Sequence, residues 1–134
     1  MKAETIKSYD FPYILEAQKI LAADPARQLT ITALALEVGL NSFKLRVGFK
    51  QLFKRTIHQY RLDLRLKLAK QLLSETDLTI SEIAYKAGFD SRDGFARCFR
   101  NRVRESPRQW RKNTITTTSR KIENLHRMMH NCRI

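Results

Sequence analysis

An internal repeat is the sequence feature that most constrains the fold of this chain. Residues 30–40 read TITALALEVGL and residues 79–89 read TISEIAYKAGF, so the two segments align at an offset of 49 positions. After the glycine the offset becomes 50, and TIHQYR at 56–61 then corresponds to SPRQWR at 106–111. A period of this length indicates one supersecondary unit present twice. Because about 50 residues bury too little surface to be comfortably stable alone, each copy is expected to pack against further parts of the chain.

Each copy has the layout of two helices joined by a tight turn. In the second copy Thr79 and Glu82 form the pattern of a capping box, a short apolar run follows, and Gly88 stands at the turn. The next stretch, residues 91–104, reads SRDGFARCFRNRVR and has the spacing of an amphipathic helix. Helix, glycine turn and basic helix in this order are typical of a helix-turn-helix motif.

The second helix of each motif separates an apolar face from a basic face. The apolar positions, which we expect to be buried, are Phe95, Phe99 and Val103 in the second copy and Leu45, Phe49, Leu52 and Phe53 in the first. The opposite face suits a helix that enters a groove lined by phosphate. We assign to this DNA-binding face Ser42, Phe43, Arg46, Val47, Lys50, Lys54, Arg92, Asp93, Ala96, Arg97 and Arg100. The further cations that we expect to meet phosphates are Lys44, Arg102 and Arg104.

The charge of the chain favours an anionic partner. Its formal net charge is +13, which makes nucleic acid the first interpretation and an anionic membrane surface the second. The apolar share of 43% is ordinary for a globular protein, so disorder does not account for the charge. No run approaches the roughly 20 apolar residues of a spanning helix and no signal peptide opens the chain, so we expect a cytoplasmic location.

The segments outside the repeat are also expected to be helical. Asp10 is predicted to cap a helix that continues to about Ala23, with Pro12 in its first turn. Its predicted apolar stripe is Ile14, Leu15, Ala17, Ile20 and Leu21. Residues 57–76 carry leucines on more than one face, which predicts a long helix in contact with both copies. Leucines alternate over 62–68 as in a strand, but helix is favoured because no turn residue interrupts the segment.

Residues 113–134 break the composition of the repeat. A hydroxyl-rich stretch at 114–119 is followed by apolar residues at helical spacing among basic ones, which predicts a short amphipathic helix. This helix would either dock on the body or serve as a partner surface. His126, His130 and Cys132 are not expected to bind a metal, because no fourth ligand accompanies them. We predict neither a metal nor a cofactor.

With these motifs in place, the chain resembles the DNA-binding domain of the AraC/XylS transcription regulators over about residues 10–112. The resemblance is carried by the Gly-Phe-x-Ser of 88–91, the Phe-x-Arg-x-Phe of 95–99 and the Ser-Pro-x-x-Trp-Arg of 106–111. It implies a bacterial, nucleoid-associated regulator with two recognition helices in successive major grooves of double-stranded DNA. It also implies recruitment of RNA polymerase for activation.

Three departures from the family pattern bear on this interpretation. Arg55 and Glu105 stand where the family usually has a glycine after each recognition helix, and Trp110 stands in place of a tyrosine. The effector-binding and dimerising domain of most members is missing from this sequence. The chain therefore corresponds either to a short stand-alone regulator or to the DNA-binding part of a longer protein.

The predicted fold is all-α, with two homeodomain-like helix-turn-helix subdomains joined by a long linker helix and about seven helices in total. The predicted boundaries are 1–56 and 77–112 for the subdomains, 57–76 for the linker and 113–134 for a basic tail. The predicted function is sequence-specific DNA binding in transcription regulation; the alternative is a nonspecific basic nucleic-acid-binding protein. An enzyme is not expected, since no Ser/His/Asp set, paired carboxylates or ligand-spaced cysteines occur.

The two recognition helices are expected to read different bases. Aligned by the repeat, Arg46 corresponds to Ala96 and Val47 to Arg97, so the outward arginine differs by one position. Arginine pairs bidentately with guanine, which makes Arg46 and Arg97 the predicted base readers. Asp93 lies one turn before Arg97, and we expect an ion pair between them rather than a contact with cytosine.

Overall fold

The computed structural model describes residues 6–115 and residue 125 of the 134-residue chain. All regular elements in this part of the chain are helical, which confirms the all-α prediction. After a short 3-10 helix at Ser8–Asp10 the helices are α1 (Phe11–Ala23), α2 (Ile31–Val38), α3 (Ser42–Phe53), α4 (Ile57–Glu75), α5 (Ile80–Lys86), α6 (Arg92–Val103) and α7 (107–115). The chain divides into two compact units, Met1–Leu68 and Ala69–Ile134, and the division falls inside α4.

Matching side chains start the matching helices of the two units. Each accepts a hydrogen bond from a backbone N–H three residues ahead, at distances between 2.7 and 3.1 Å. The pairs, in the alignment of the repeat, are Thr30 and Thr79, Asn41 and Ser91, and Thr56 and Ser106. Such caps satisfy amide groups that the first turn of a helix leaves unpaired. The repeat in the sequence is therefore a repeat of helix starts.

The core of the first unit is formed mostly by residues of α1, α2 and α3, together with Leu29 and Ile57. Its largest side chain, Phe49, is fully buried and packs beside Phe53 at a ring-centroid distance of 4.6 Å. The ring of Tyr60 meets Phe49 edge-on at 5.3 Å, and its hydroxyl accepts a hydrogen bond of 2.7 Å from Gln18 of α1. This cluster joins the recognition helix α3 to α1 and α4.

In the second unit a run of aromatic rings connects the turn, α6 and α7. Phe95 and Phe99 are fully buried and meet at 5.7 Å, with Phe89 beside Phe95 at 5.1 Å. Trp110 meets Phe99 edge-on at 6.2 Å, as its counterpart Tyr60 does Phe49 in the first unit. The tryptophan thus keeps the aromatic contact of the tyrosine that the family pattern has at this position.

The long segment after the first motif is one helix, as predicted, and not a strand. Ile57 at its start belongs to the core of the first unit. Near its end the carbonyl of Leu73 accepts a hydrogen bond from Arg111 of the second unit. The prediction that this helix supports both copies is therefore confirmed within each unit.

Four buried or capping roles predicted from the sequence were wrong or incomplete. Leu15 and Leu52 are 44% and 38% exposed; the residues buried in their helices are Ile14, Ala17 and Leu21 of α1 and Leu45, Gly48 and Phe49 of α3. Val103, in the last turn of α6, is only half-buried. Asp10 makes no capping hydrogen bond to α1, since its own backbone is helical and continues from the preceding 3-10 turn. The predicted tail helix and the His126, His130 and Cys132 set lie outside the described residues.

Candidate nucleic-acid interface

Each recognition helix begins after a glycine with a left-handed backbone. Gly39 follows α2 with φ of 85°, and Gly88 follows α5 with φ of 97°. A residue with a side chain adopts this conformation only at a cost, so glycine lets the chain reverse direction within a few residues. Asn41 and Ser91 then cap the next helix, which fixes where each recognition helix starts.

The structure brings the predicted residues of α3 to one exposed face. Leu45, Gly48 and Phe49 point into the core. On the other side Arg46 and Lys50 are exposed, Phe43 is 46% exposed and Ser42 and Val47 are half-buried. Lys54 directly follows the helix and is also exposed.

The predicted residues of α6 form a corresponding face. Phe95 and Phe99 are its buried residues. Arg92, Asp93, Arg97 and Arg100 are exposed, and the small side chain of Ala96 is half-buried among them. Both helices therefore present basic side chains opposite a buried phenylalanine, arginine and lysine in α3 and arginine alone in α6.

Both recognition helices end on a residue with positive φ that is not glycine. Lys54 has φ of 59° and Arg104 has φ of 70°, and the N–H of each donates to the carbonyl four residues before it. The left-handed residue thus precedes Arg55 and Glu105, the positions where the family pattern carries glycine. The helix ends are formed without it, at the strain that a side chain adds in this region.

Two expectations about charge were wrong, and both concern the recognition helices. Among the described residues no ion pair joins Asp93 to Arg97. Within that part of the chain Arg97 therefore has neither an ion-pair partner nor a hydrogen-bond partner. Lys44 does not face outwards with the other cations. Its ammonium lies 3.7 Å from the carboxylate of Asp10, a residue only 2% exposed, and stands over the ring of Tyr9.

Two arginines that the sequence analysis did not single out secure the loops leading into the two motifs. Arg65 donates from Nε to the carbonyl of Pro25 at 2.8 Å and from Nη2 to that of Arg27 at 3.2 Å. Arg111 donates in the same way to the carbonyls of Leu73 and Thr76, at 3.0 and 3.3 Å. Arg111 stands in the repeated hexapeptide, which was a usable signal. Arg65 lies outside it, and nothing in the sequence pattern marks it.

Other classes of site find no support in this part of the molecule. Within residues 6–115 and 125, no group of His, Cys, Asp and Glu side chains is placed to hold a metal ion. None of the described helices has the length and apolarity needed to cross a membrane.

Comparison with known proteins gives consistent matches. A family model described as a helix-turn-helix domain matches residues 15–113. The chain is 34% identical over 100 residues to the melibiose operon regulatory protein of Escherichia coli, covering 75% of this chain and 33% of that protein. A crystal structure of a transcriptional regulator from Chromobacterium violaceum, described by its AraC-type DNA-binding domain, matches with a TM-score of 0.72 at 30% identity. That match covers 81% of this chain and 96% of the other.

A further relative carries the name of an enzyme. The chain is 33% identical over 107 residues to histidine kinase P4 of Formosa agariphila, but this covers 79% of the chain and only 8% of the kinase. So small a share transfers no kinase activity to this chain. The chain spans about a third or less of the length of these curated relatives.

Proposed function

Since the chain belongs to the AraC-type family of helix-turn-helix DNA-binding regulators, we propose that it binds one DNA sequence through α3 and α6 in successive major grooves. The observation that carries the proposal is the equivalent build of the two helices. Each is fixed by a side-chain cap and a buried phenylalanine, and each turns exposed basic side chains away from the core. A helix of this kind fits the major groove of B-DNA, where base edges differ in their hydrogen-bonding groups.

In this proposal Arg46 and Arg97 read guanine, and the site is asymmetric. Neither residue has a hydrogen-bond or ion-pair partner among the described residues, so binding DNA breaks no internal contact of these side chains. The half-exposed ring of Phe43 lies in the first turn of α3, three residues before Arg46, where it can meet a thymine methyl or a sugar edge. Lys50, Lys54 and Arg100 serve as phosphate contacts.

A binding-site selection with the full chain and three variants tests this assignment. We expect Arg46→Ala and Arg97→Ala each to lose about 1–3 kcal/mol on the selected site, with relaxed preference at one or two neighbouring base pairs. Lys54→Ala should weaken binding to all sequences alike. Lys19→Ala, an exposed cation on α1, is the matched control and should change little. Loss of affinity in Arg97→Ala with base preferences intact would make this residue a phosphate contact and refute its assignment.

The competing function is nonspecific binding of nucleic acid, which a net charge of +13 would also support. The two are separated by the ratio of affinities for the selected site and for random duplex. A sequence-specific regulator should show a ratio of about 10³ or more, and a nonspecific binder a ratio near one. Salt dependence alone does not separate them, because phosphate contacts are common to both.

The regulatory outcome that we propose is activation through RNA polymerase, at promoters in the bacterial cytoplasm. The proposal of activation rests on the family resemblance, and no contact in this structure bears on it. Transcription in vitro from a promoter carrying the selected site, with purified polymerase, should increase when the chain is added. A decrease would identify a repressor. As a separate proposal, the whole protein contains further domains. The length of the curated relatives, of which the chain spans about a third or less, favours this proposal.

A further inference from the structure

A cavity of about 550 Å³ in the second unit is lined by three arginines. Arg92 is the first residue of α6, so it belongs both to this cavity and to the proposed DNA-binding face. Arg108 and Arg111 come from the first two turns of α7. Asp77 is the only acidic residue of the lining, so the cavity keeps a positive charge.

The three arginines are in different states. Arg111 is fixed, because its Nε and Nη2 donate to carbonyls of Leu73 and Thr76. Guanidinium carries five N–H donors, so part of Arg111 is still able to donate into the cavity. Arg92 and Arg108 are exposed, and the described residues offer neither of them a hydrogen-bond or ion-pair partner. The cavity thus combines one arginine fixed by hydrogen bonds, Arg111, with two, Arg92 and Arg108, that have no hydrogen-bond partner among the described residues.

The first unit lacks this arrangement. By the alignment of the repeat, Ser42 stands for Arg92 and His58 for Arg108. Only Arg111 has a basic counterpart, Arg61. The difference is not explained by the packing of the motif, since the caps and the aromatic contacts that hold the two units are shared. The cavity of the second unit therefore has two arginines where the first unit has Ser42 and His58.

We propose that this cavity binds a phosphate group of the DNA backbone beside the groove that α6 enters, with Arg92 and Arg108 as its ligands and Arg111 as a fixed donor. This rests on the proposed function and adds to it a contact that reads no base. Arginine is suited to phosphate because two of its parallel N–H groups can bind two oxygens at once. The second unit then makes a backbone contact that the first unit lacks.

Measuring affinity against salt, on the full chain and the selected duplex, tests the proposal. Each phosphate contact contributes about 0.9 to the slope of log affinity against log salt, so Arg108→Gln should lower that slope by up to this amount. The affinity lost between 50 and 200 mM salt should then be smaller than for the unaltered chain, by a factor of up to about 3 to 4. His58→Gln, the equivalent position in the first unit, and Lys19→Gln, an exposed cation of α1 outside the proposed DNA-binding face, should leave the slope unchanged.

A scan with uncharged methylphosphonate linkages identifies the phosphate itself. One backbone position should weaken binding of the unaltered chain and have a smaller effect on Arg108→Gln, because that variant has already lost one ligand of the phosphate. Arg92→Gln should be less sensitive at the same position for the same reason. Since Arg108 is exposed, the thermal unfolding of Arg108→Gln is expected to match that of the unaltered chain, which shows that the variant is folded.

The same chemistry could serve a free phosphorylated small molecule, and inorganic phosphate is the probe for that source. Phosphate binding that Arg108→Gln abolishes, together with an unchanged DNA salt slope, would overturn the backbone contact in favour of a small ligand. An unchanged slope without phosphate binding would overturn the site altogether. Neither result touches the proposed function, whose failure would appear separately as a lack of sequence preference in the unaltered chain.

Discussion

The two helix-turn-helix units share their helix starts and their aromatic contacts but differ where the recognition helix meets its support. In the first unit a Cβ added at Gly48 would lie 2.2 Å from Cδ1 of Ile14, so the buried side chain of Ile14 would have to move to admit a side chain there. The second unit has Cys98 at the equivalent position, half-buried in α6. The helix starts and aromatic contacts inside the motif are the same in both units. The contacts that the recognition helix makes with elements outside the motif differ between the units.

The arginines that secure the entrance loops teach the same lesson. Arg61 corresponds to Arg111 in the repeat, yet Arg65, one helical turn later, makes the equivalent pair of hydrogen bonds. Arg61 is left with its Nε and Nη2 buried and unpaired among the described residues. Burial lowers the pKa of the Arg61 guanidinium, and the positive charge of Arg65 lowers it further. The segments before α2 and α5 differ, so Arg65 donates to the first and Arg111 donates to the second.

The largest effects are expected where the two units are the same. Phe49→Ala and Phe99→Ala should each lower the free energy of unfolding by about 3–5 kcal/mol, since both rings are fully buried. Leu36→Ala, at a position 79% exposed, is the control and should cost less than about 0.5 kcal/mol. Urea unfolding followed by circular dichroism measures all three. A large loss for only one phenylalanine would show that the two cores are not equivalent.

The next largest effect separates the three arginines. Arg65→Met and Arg111→Met should each cost about 1.5–3 kcal/mol, because a charged donor is lost from two carbonyls. Arg61→Met should be neutral or stabilising, because an apolar chain replaces a partly buried guanidinium whose Nε and Nη2 have no partner among the described residues. Thermal unfolding of the three variants decides the matter. If Arg61→Met lost as much stability as Arg65→Met, the position in the repeat, and not the hydrogen bonds to the loop, would determine which arginine stabilises the unit.

A smaller effect is expected from exchanging the residues at the helix supports. Gly48→Cys should destabilise the chain by about 1–3 kcal/mol, because the new side chain collides with buried Ile14. Cys98→Gly removes a side chain from a helix without creating a collision, and it should cost less than about 1 kcal/mol. If calorimetry gave equal losses for both, the close approach of α3 to α1 would not be the reason for the glycine.

The smallest effect is a gain, and the two units should share it. Lys54→Gly and Arg104→Gly remove a side chain from a left-handed backbone, which should stabilise the chain by up to about 1 kcal/mol each. Lys54→Ala and Arg104→Ala are the controls, since alanine keeps the Cβ that causes the strain. Melting temperatures that rise equally with glycine and alanine would place the effect in the lost charge instead.

The sequence by itself determined the helices, their caps and the buried phenylalanines of both motifs. These features depend on residues three or four positions apart, such as Thr79 and Glu82 or Phe95 and Phe99, so the local pattern contains them. The basic faces of α3 and α6 follow from the same periodicity. For this reason the predicted interface residues could be placed on one face of each helix before any packing was known.

Only the tertiary structure decided which cations remain available and which apolar residues are covered. Lys44 is drawn to Asp10, 34 positions earlier, and Arg65 and Arg111 reach carbonyls 35 to 40 positions away. The cavity of Arg92 and Arg108 likewise joins residues of α6 and α7 to the loop before α5. Such contacts depend on how whole helices pack, and periodicity along one helix contains no information about the neighbour that its side chains will meet.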